Sequence, residues 1–242
     1  MPNYSNSPIA EAVCELQFVP NPSTDITAIG LFYEKIRDQF PIKHPQMGIA
    51  TQTDKDSFSF QMLQRVQFFR PDRSALVQAS ANIITINRLK PYTDWQEFRE
   101  LILNNFETFS QITNPEGFKR LGLRYINKIE LAEPQTDRLE DYFTIYPVIP
   151  KELSETYVNF ANQVEIPYKA DRDNLRILLR SDPVEETGMR SFVLDLDYHT
   201  VTPENVTLEA ITEWIETAHE SIKNAFERCI TDKSRTMFGA EK

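Results

Sequence analysis

The chain reads as an α+β protein in which mainly antiparallel sheet packs against long helices, and three observations predict it. Several stretches alternate apolar and polar residues with a period of two, as half-buried strands do. Three others carry apolar residues at three- and four-residue spacing, as amphipathic helices do. Three strands followed by a helix occur twice in the same order, so the expected organisation is two β-β-β-α-like units, 1–132 and 133–242, with the option of one merged domain.

The first element is Ile9–Val19, in which Ala10, Ala12, Cys14, Leu16 and Phe18 share one face while Glu11, Glu15 and Gln17 lie opposite. Pro20 and Pro22 close it. Thr24 or Asp25 can then cap a helix that carries Ile29, Phe32, Tyr33, Ile36 and Phe40, and Pro41 ends it. Residues 41–56 read as a loop. From Phe58 alternation returns, with Phe58, Phe60, Met62, Val66 and Phe68 on one face. Pro71–Ser74 turns the chain into strands near Ala75–Ser80 and Asn82–Leu89. Thr93-Asp-Trp-Gln reads as a capping box that opens a helix through about Ile112, with Trp95, Phe98, Ile102, Phe106 and Phe109 as its buried stripe.

Asn114-Pro-Glu-Gly leads into a strand over 119–132. The second half supplies strands at Tyr157–Tyr168, Leu175–Ser181 and Phe192–Thr200, separated by turns at Lys169–Asp173 and Asp182–Gly188. A last helix runs from about Pro203 or Leu208 to Ile230 and gathers Leu208, Ile211, Ile215, Ala218, Ile222, Ala225, Phe226 and Cys229 on one side.

Composition excludes several function classes. With 242 residues the chain can bury roughly 70–75% of the surface its unfolded form exposes. Its 16 Phe and 11% aromatic content argue against disorder. The net charge of −10 works against binding nucleic acid through phosphates, since each such contact needs a neutralising cation. It suits solubility or a basic protein partner. No apolar run approaches the ~18–20 residues that span a bilayer, and the start lacks a leader pattern, so the expected location is cytoplasmic. Cys14 and Cys229 each sit in an apolar periodic pattern and read as buried thiols. No Cys-x-x-Cys, Gly-x-Ser-x-Gly, Walker loop or dinucleotide fingerprint occurs, and no cofactor or catalytic residue is assigned.

The constellations that could carry chemistry are few. On a strand, Asp195, Asp197 and His199 point the same way at about 6–7 Å per two residues, a spacing that permits shared coordination of a hard divalent ion. Solvated charges on a strand face are the ordinary account of the same residues. His219 falls on the inner edge of the last helix, as a core histidine would. Phe68-Phe69-Arg70-Pro71-Asp72-Arg73 could stack a base, or form a hairpin with a solvated tip. Glu213, Glu216, Glu220 and Glu227 line the polar side of the last helix.

The strand 119–132 is the least ordinary. Leu121, Leu123, Tyr125, Ile129 and Leu131 occupy one face with Asn127 among them, and Arg120, Gly122, Arg124, Lys128 and Glu130 occupy the other. A buried Asn127 must find partners, and Arg124 can clamp an anion or pair with Glu11 or Glu15 on the first strand. Arg124, Tyr125 and Asn127 are therefore the candidate binding residues.

Ser7-Pro-Ile-Ala-Glu-Ala-Val-Cys-Glu-Leu-Gln-Phe18, Arg120-Leu-Gly-Leu-Arg-Tyr-Ile-Asn-Lys-Ile129 and Ala225-Phe-Glu-Arg-Cys-Ile-Thr-Asp-Lys233 together resemble an uncharacterised, sporadically distributed family of bacterial proteins of about 250 residues. The resemblance covers nearly the whole chain and implies a bacterial source; it carries no activity, substrate or catalytic residue. Patchy distribution is typical of genes that travel with mobile elements, phage defence or toxin–antitoxin pairs. The leading expectation is thus a non-enzymatic binding or regulatory protein, antitoxin-like or of a defence system, with a protein partner encoded by a neighbouring gene. The alternatives are a metal-dependent or nuclease-like enzyme using Asp195, Asp197 and His199, and a small-ligand or nucleotide sensor with a pocket near Arg124 and Asn127.

Overall fold

The computed structural model describes residues 4–22, 24–54, 57–131, 138–150, 152–153, 158–182 and 190–239, and of 47–54 and 57–64 the backbone alone. Nine strands and four helices follow in the order β1 (Ile9–Phe18), α1 (Thr27–Ile36), β2 (Ile42–Asp54), β3 (Ser57–Phe69), β4 (Ala75–Ala79), β5 (Ile83–Leu89), α2 (Trp95–Thr113), β6 (Phe118–Leu131), β7 (Ala161–Tyr168), β8 (Asp173–Ser181), β9 (Arg190–Thr200), α3 (Ile211–Cys229) and α4 (Asp232–Met237). The strands pair as β2-β3-β4-β5-β1-β6-β9-β8-β7. The fold is α+β, with antiparallel ladders between β2 and β3, β3 and β4, β4 and β5, β6 and β9, β9 and β8, and β8 and β7.

The chain condenses into two compact units, each drawn from separated stretches. One comprises Met1–Ala12, Gly122–Thr202 and Glu213–Lys242; the other comprises Val13–Leu121 and Pro203–Thr212. They are termed here the β6–β9 unit and the β2–β5 unit.

In the β2–β5 unit, the apolar positions of β1, β3, β4 and β5 face α1 and α2. Phe18, Phe32, Phe68, Phe98 and Phe109 are each at most 2% exposed. Their rings interlock, with Phe18 5.5 Å from Phe109 and Phe32 5.4 Å from Phe109 in edge contact. Large rings at helical and strand spacing converge here because each buries far more apolar area than any aliphatic alternative. Opposite that core, Gln46, Gln67, Gln78 and Asn87 form a ladder of side-chain amides, each donating to the next at 3.1 Å across β2, β3, β4 and β5.

In the β6–β9 unit, α3 covers β6, β9 and β8. Trp214, Ile215, Ala218, Ile222 and Phe226 on the helix are at most 2% exposed, and so are Leu175, Leu179, Leu194, Leu196 and Tyr198 on the strands. Phe143 packs 5.9 Å from Phe192. α4 begins with Thr231 as its N-cap, whose side chain accepts from the backbone N–H of Ser234.

Four expectations are corrected. Residues 42–54 form β2 and not a loop; Pro45 and Gly48 break its sequence pattern, and a strand at the end of the order can carry a proline that an inner strand could not. The sheet is larger, and the helices shorter, than expected: α1 spans 10 residues and α4 spans 6, while 203–205 and 208–210 form separate 3-10 turns before α3 starts at Ile211. The N-cap of α2 is Asp94 and not Thr93, because the extended backbone at Asp94 brings its carboxylate 2.8 Å from the Glu97 N–H. Thr93 bonds to the Glu97 side chain instead. The strand expected from Tyr157 begins at Ala161. The inward placement of Phe58, Phe60 and Met62, and the turn at 183–188, lie outside the described residues.

Candidate functional site

The alternation of β6 separates the three candidate binding residues. Tyr125 and Asn127 are both fully buried on the helix-facing side, and Arg124 projects from the opposite face with its side chain 40% exposed. They do not assemble one site. Tyr125 places its hydroxyl 3.1 Å from Nδ1 of His219 on α3, a buried contact. Burial in apolar surroundings holds the His219 imidazole neutral, with its pKa lowered to about 4. Asn127 donates from Nδ2 to the Leu194 carbonyl at 3.0 Å, across the register pair that β6 and β9 make there. Its side-chain oxygen is buried with no hydrogen-bond partner among the described residues.

Arg124 is held by a carboxylate, though by a different one from those its sequence suggests. Its Nε and Nη2 donate to the two oxygens of Asp195 at 2.7 and 2.5 Å, a fork-on-fork pairing that planar guanidinium favours. The hydrogen bonds to Asp195 raise the Arg124 pKa. Glu15 pairs with Arg120 at 3.2 Å, and the charge of Glu11 adds to the raised pKa of Arg124. The reason is register: Arg124 stands opposite Asp197, so its side chain reaches diagonally to Asp195, two residues along β9.

The proposed metal string is laid out as the strand geometry requires, but its carboxylates are already engaged. Asp195 and Asp197 are 3% and 6% exposed. Arg176 on β8 donates to Asp197 at 3.0 Å, and His199 Nε2 lies 3.4 Å from Glu165 on β7, which also accepts from Asn174 at 2.8 Å. These residues alternate positive and negative across β6, β9, β8 and β7, neutralising charge that burial would otherwise penalise. No group of three or more His, Cys, Asp or Glu residues among the described residues is arranged to hold a metal ion.

Two further features escaped sequence reasoning. Asp173, fully buried at the start of β8, accepts from Trp214 Nε1 and the Tyr198 hydroxyl, both at 3.0 Å, and from Arg172 Nε at 3.0 Å and Nη2 at 2.6 Å. The only sequence signal was an aspartate opening an apolar strand and a tryptophan within the last helix. In the β2–β5 unit, Glu97 on α2 receives Arg70 at 3.2 Å and Arg88 at 3.1 Å. The hydrogen bond from Thr93, reinforced by these two guanidinium groups, lowers its pKa. Arg70 is thus tied to the fold, and Arg73 lies over the Phe69 ring at 4.5 Å, so the Phe68–Arg73 segment is a packed hairpin. Cys14 and Cys229 are both buried free thiols, and burial pushes Cys229 up to about 11. No described helix is long and apolar enough to cross a membrane.

No family model matches the chain, and no curated protein matches it either.

Proposed function

We propose that the protein is a non-enzymatic binding or regulatory protein, of the antitoxin-like or phage-defence kind, that engages a protein partner through the free edge of β7. The observation that carries this reading is the phase of the β7 ladder. Ser181 N–H donates to the Phe160 carbonyl at 3.1 Å, so at that position the backbone addresses β8. Antiparallel residues alternate in this respect, so Ala161, Gln163 and Glu165 turn their N–H and C=O groups to the other side. Among the described residues no strand pairs there, since β7 ends the strand order. Pro167, which has no N–H, falls on the same outward phase.

Apolar exposure accompanies the open edge. Val164 and Ile166 are each 40% exposed, and Val158, just before the strand, is 95% exposed. An unpaired edge bearing exposed apolar side chains is where a second chain adds a strand, with the backbone supplying affinity and side-chain pockets supplying specificity. The engagement of Asp195, Asp197 and Glu165 with cationic groups or amides supports binding over catalysis.

Patchy distribution, as the resemblance to a sporadic bacterial family implies, makes the neighbouring gene's product the first partner to test. Co-expression followed by size-exclusion chromatography with light scattering should give a heteromer. Gln163→Pro, and Val164→Arg combined with Ile166→Arg, should each weaken it at least tenfold while the thermal midpoint of the isolated protein holds. A neighbour that does not bind, or variants that bind as the wild type does, would count against the reading.

We also read β3-β4-β5-α2 and β7-β8-β9-α3 as two copies of one β-β-β-α unit. The equal order of elements supports it, as does the place of β1 beside β5 and of β6 beside β9.

A further inference from the structure

In the β2–β5 unit a groove of about 710 Å³ opens between α1 and the strands β2 and β3. We infer that it binds an amphiphile with a hydrocarbon body and a single anionic head, the class of a long-chain carboxylate. The volume lies in the range of ordinary small-molecule sites. Its walls are apolar: Ile26 and Ile29 come from the α1 side, and Val66 and Phe68 from β3.

Two features single this groove out. The first is Gly30, inside α1 and on the groove wall. A glycine in a helix interior is less favourable than alanine, because it gives up more backbone freedom on folding. Nothing local requires it, because its backbone is helical and a Cβ added there would meet no atom within 4 Å. Its effect is to keep the wall set back and the groove wide. The second feature is Lys43, which also lines the groove and holds its ammonium 4.3 Å over the ring of Tyr33. In a protein of net charge −10, Lys43 makes no ion pair with a carboxylate among the described residues. Arg65, the other cation on the lining, lies 3.8 Å from Glu15, so an apolar trough in which Lys43 alone has no carboxylate beside it among the described residues complements a hydrocarbon tail that ends in an anion. This inference stands apart from the β7 reading and involves none of its residues.

The test uses the full chain, with dodecanoate below its micellar concentration as probe, and isothermal titration and thermal shift as readouts. Dodecanoate should bind and raise the midpoint, acetate should do neither, and dodecyl maltoside, with the same tail and a neutral head, should bind at least tenfold more weakly. Lys43→Gln should abolish the preference for the anionic head while leaving tail binding. Gly30→Leu, which projects a side chain into open space, should remove dodecanoate binding from a protein that unfolds no earlier than the wild type. Dodecyl phosphate, tested in parallel, distinguishes a carboxylate site from one for phosphate-headed lipids. Absence of binding, a midpoint that falls on adding dodecanoate, or a Lys43→Gln variant that still prefers the anionic head would overturn the inference.

Discussion

Asp173 illustrates how much a single buried charge can be asked to hold. Its two oxygens collect donors from Arg172, Tyr198 and Trp214, and its side chain has no exposure. Removing the charge leaves four donor groups from three side chains facing an acceptor that no longer balances them, and removing the side chain strands the indole N–H and the phenol O–H. Asp173→Asn should therefore cost about 2–3 kcal/mol, and Asp173→Ala about 3–5 kcal/mol, in urea denaturation. Near-native stability in Asp173→Ala would refute the role. The neighbouring strand shows the limit of reading such pairs from sequence. That Asn127 points inward follows from its alternation with Leu123, Tyr125 and Ile129, and the same logic sends Arg124 outward. Which carboxylate meets Arg124 does not follow, because the choice of Asp195 depends on the register of β6 against a strand far along the chain. Periodicity assigns a face; only pairing assigns a partner.

Among the elements, α2 offers a clean discrimination. Its sequence start contains two candidate caps in succession, and the backbone decides between them: Asp94 is extended and accepts from Glu97 N–H. Asp94→Ala should destabilise by about 1 kcal/mol, as loss of an N-cap does, while Thr93→Ala should cost less, since it removes only a bond to the Glu97 side chain. Equal losses in the two variants would show that the capping bond does not dominate. Elements with strong internal pattern were legible, among them β1, β6, β8, β9, α2 and α3. β2 was not, because a proline, a glycine and few apolar residues erase the alternation. The amide ladder of Gln46, Gln67, Gln78 and Asn87 was equally hidden, since each residue taken alone resembles a solvated amide on a strand.

At the scale of the whole molecule, pH dependence follows from groups whose ionisation differs between folded and unfolded chains. His219 is the principal one. Burial, together with the charge of Lys223 and against that of Glu216, lowers its folded pKa from 6.5 to about 4, and the Tyr125 hydroxyl faces its Nδ1. Above pH 6.5 the imidazole is neutral in both states and contributes no pH dependence. As pH falls from 6.5 towards 4 the unfolded chain takes a proton that the folded chain refuses, so stability falls, by up to about 3 kcal/mol. Glu97 adds to the loss below its ordinary range of 4.5, because its folded pKa is lowered by the Thr93 hydrogen bond and by Arg70 and Arg88. Denaturation midpoints measured from pH 7.5 to 4 should decline in the wild type and decline less in His219→Gln. Parallel curves would remove His219 from the account.

The pairing of β6 with β9 also has a history in time. The residues of β9 that close one edge of β6 follow it by roughly 60–80 positions. At a synthesis rate of ~5–20 residues per second, that edge waits several seconds after leaving the ribosome before its partner exists. A nascent chain stalled between Leu131 and Arg190 would present a long, apolar strand with an open side to anything nearby. The interval between two strands that become neighbours thus sets how long the growing polypeptide depends on chaperones, or on dilution, to stay single.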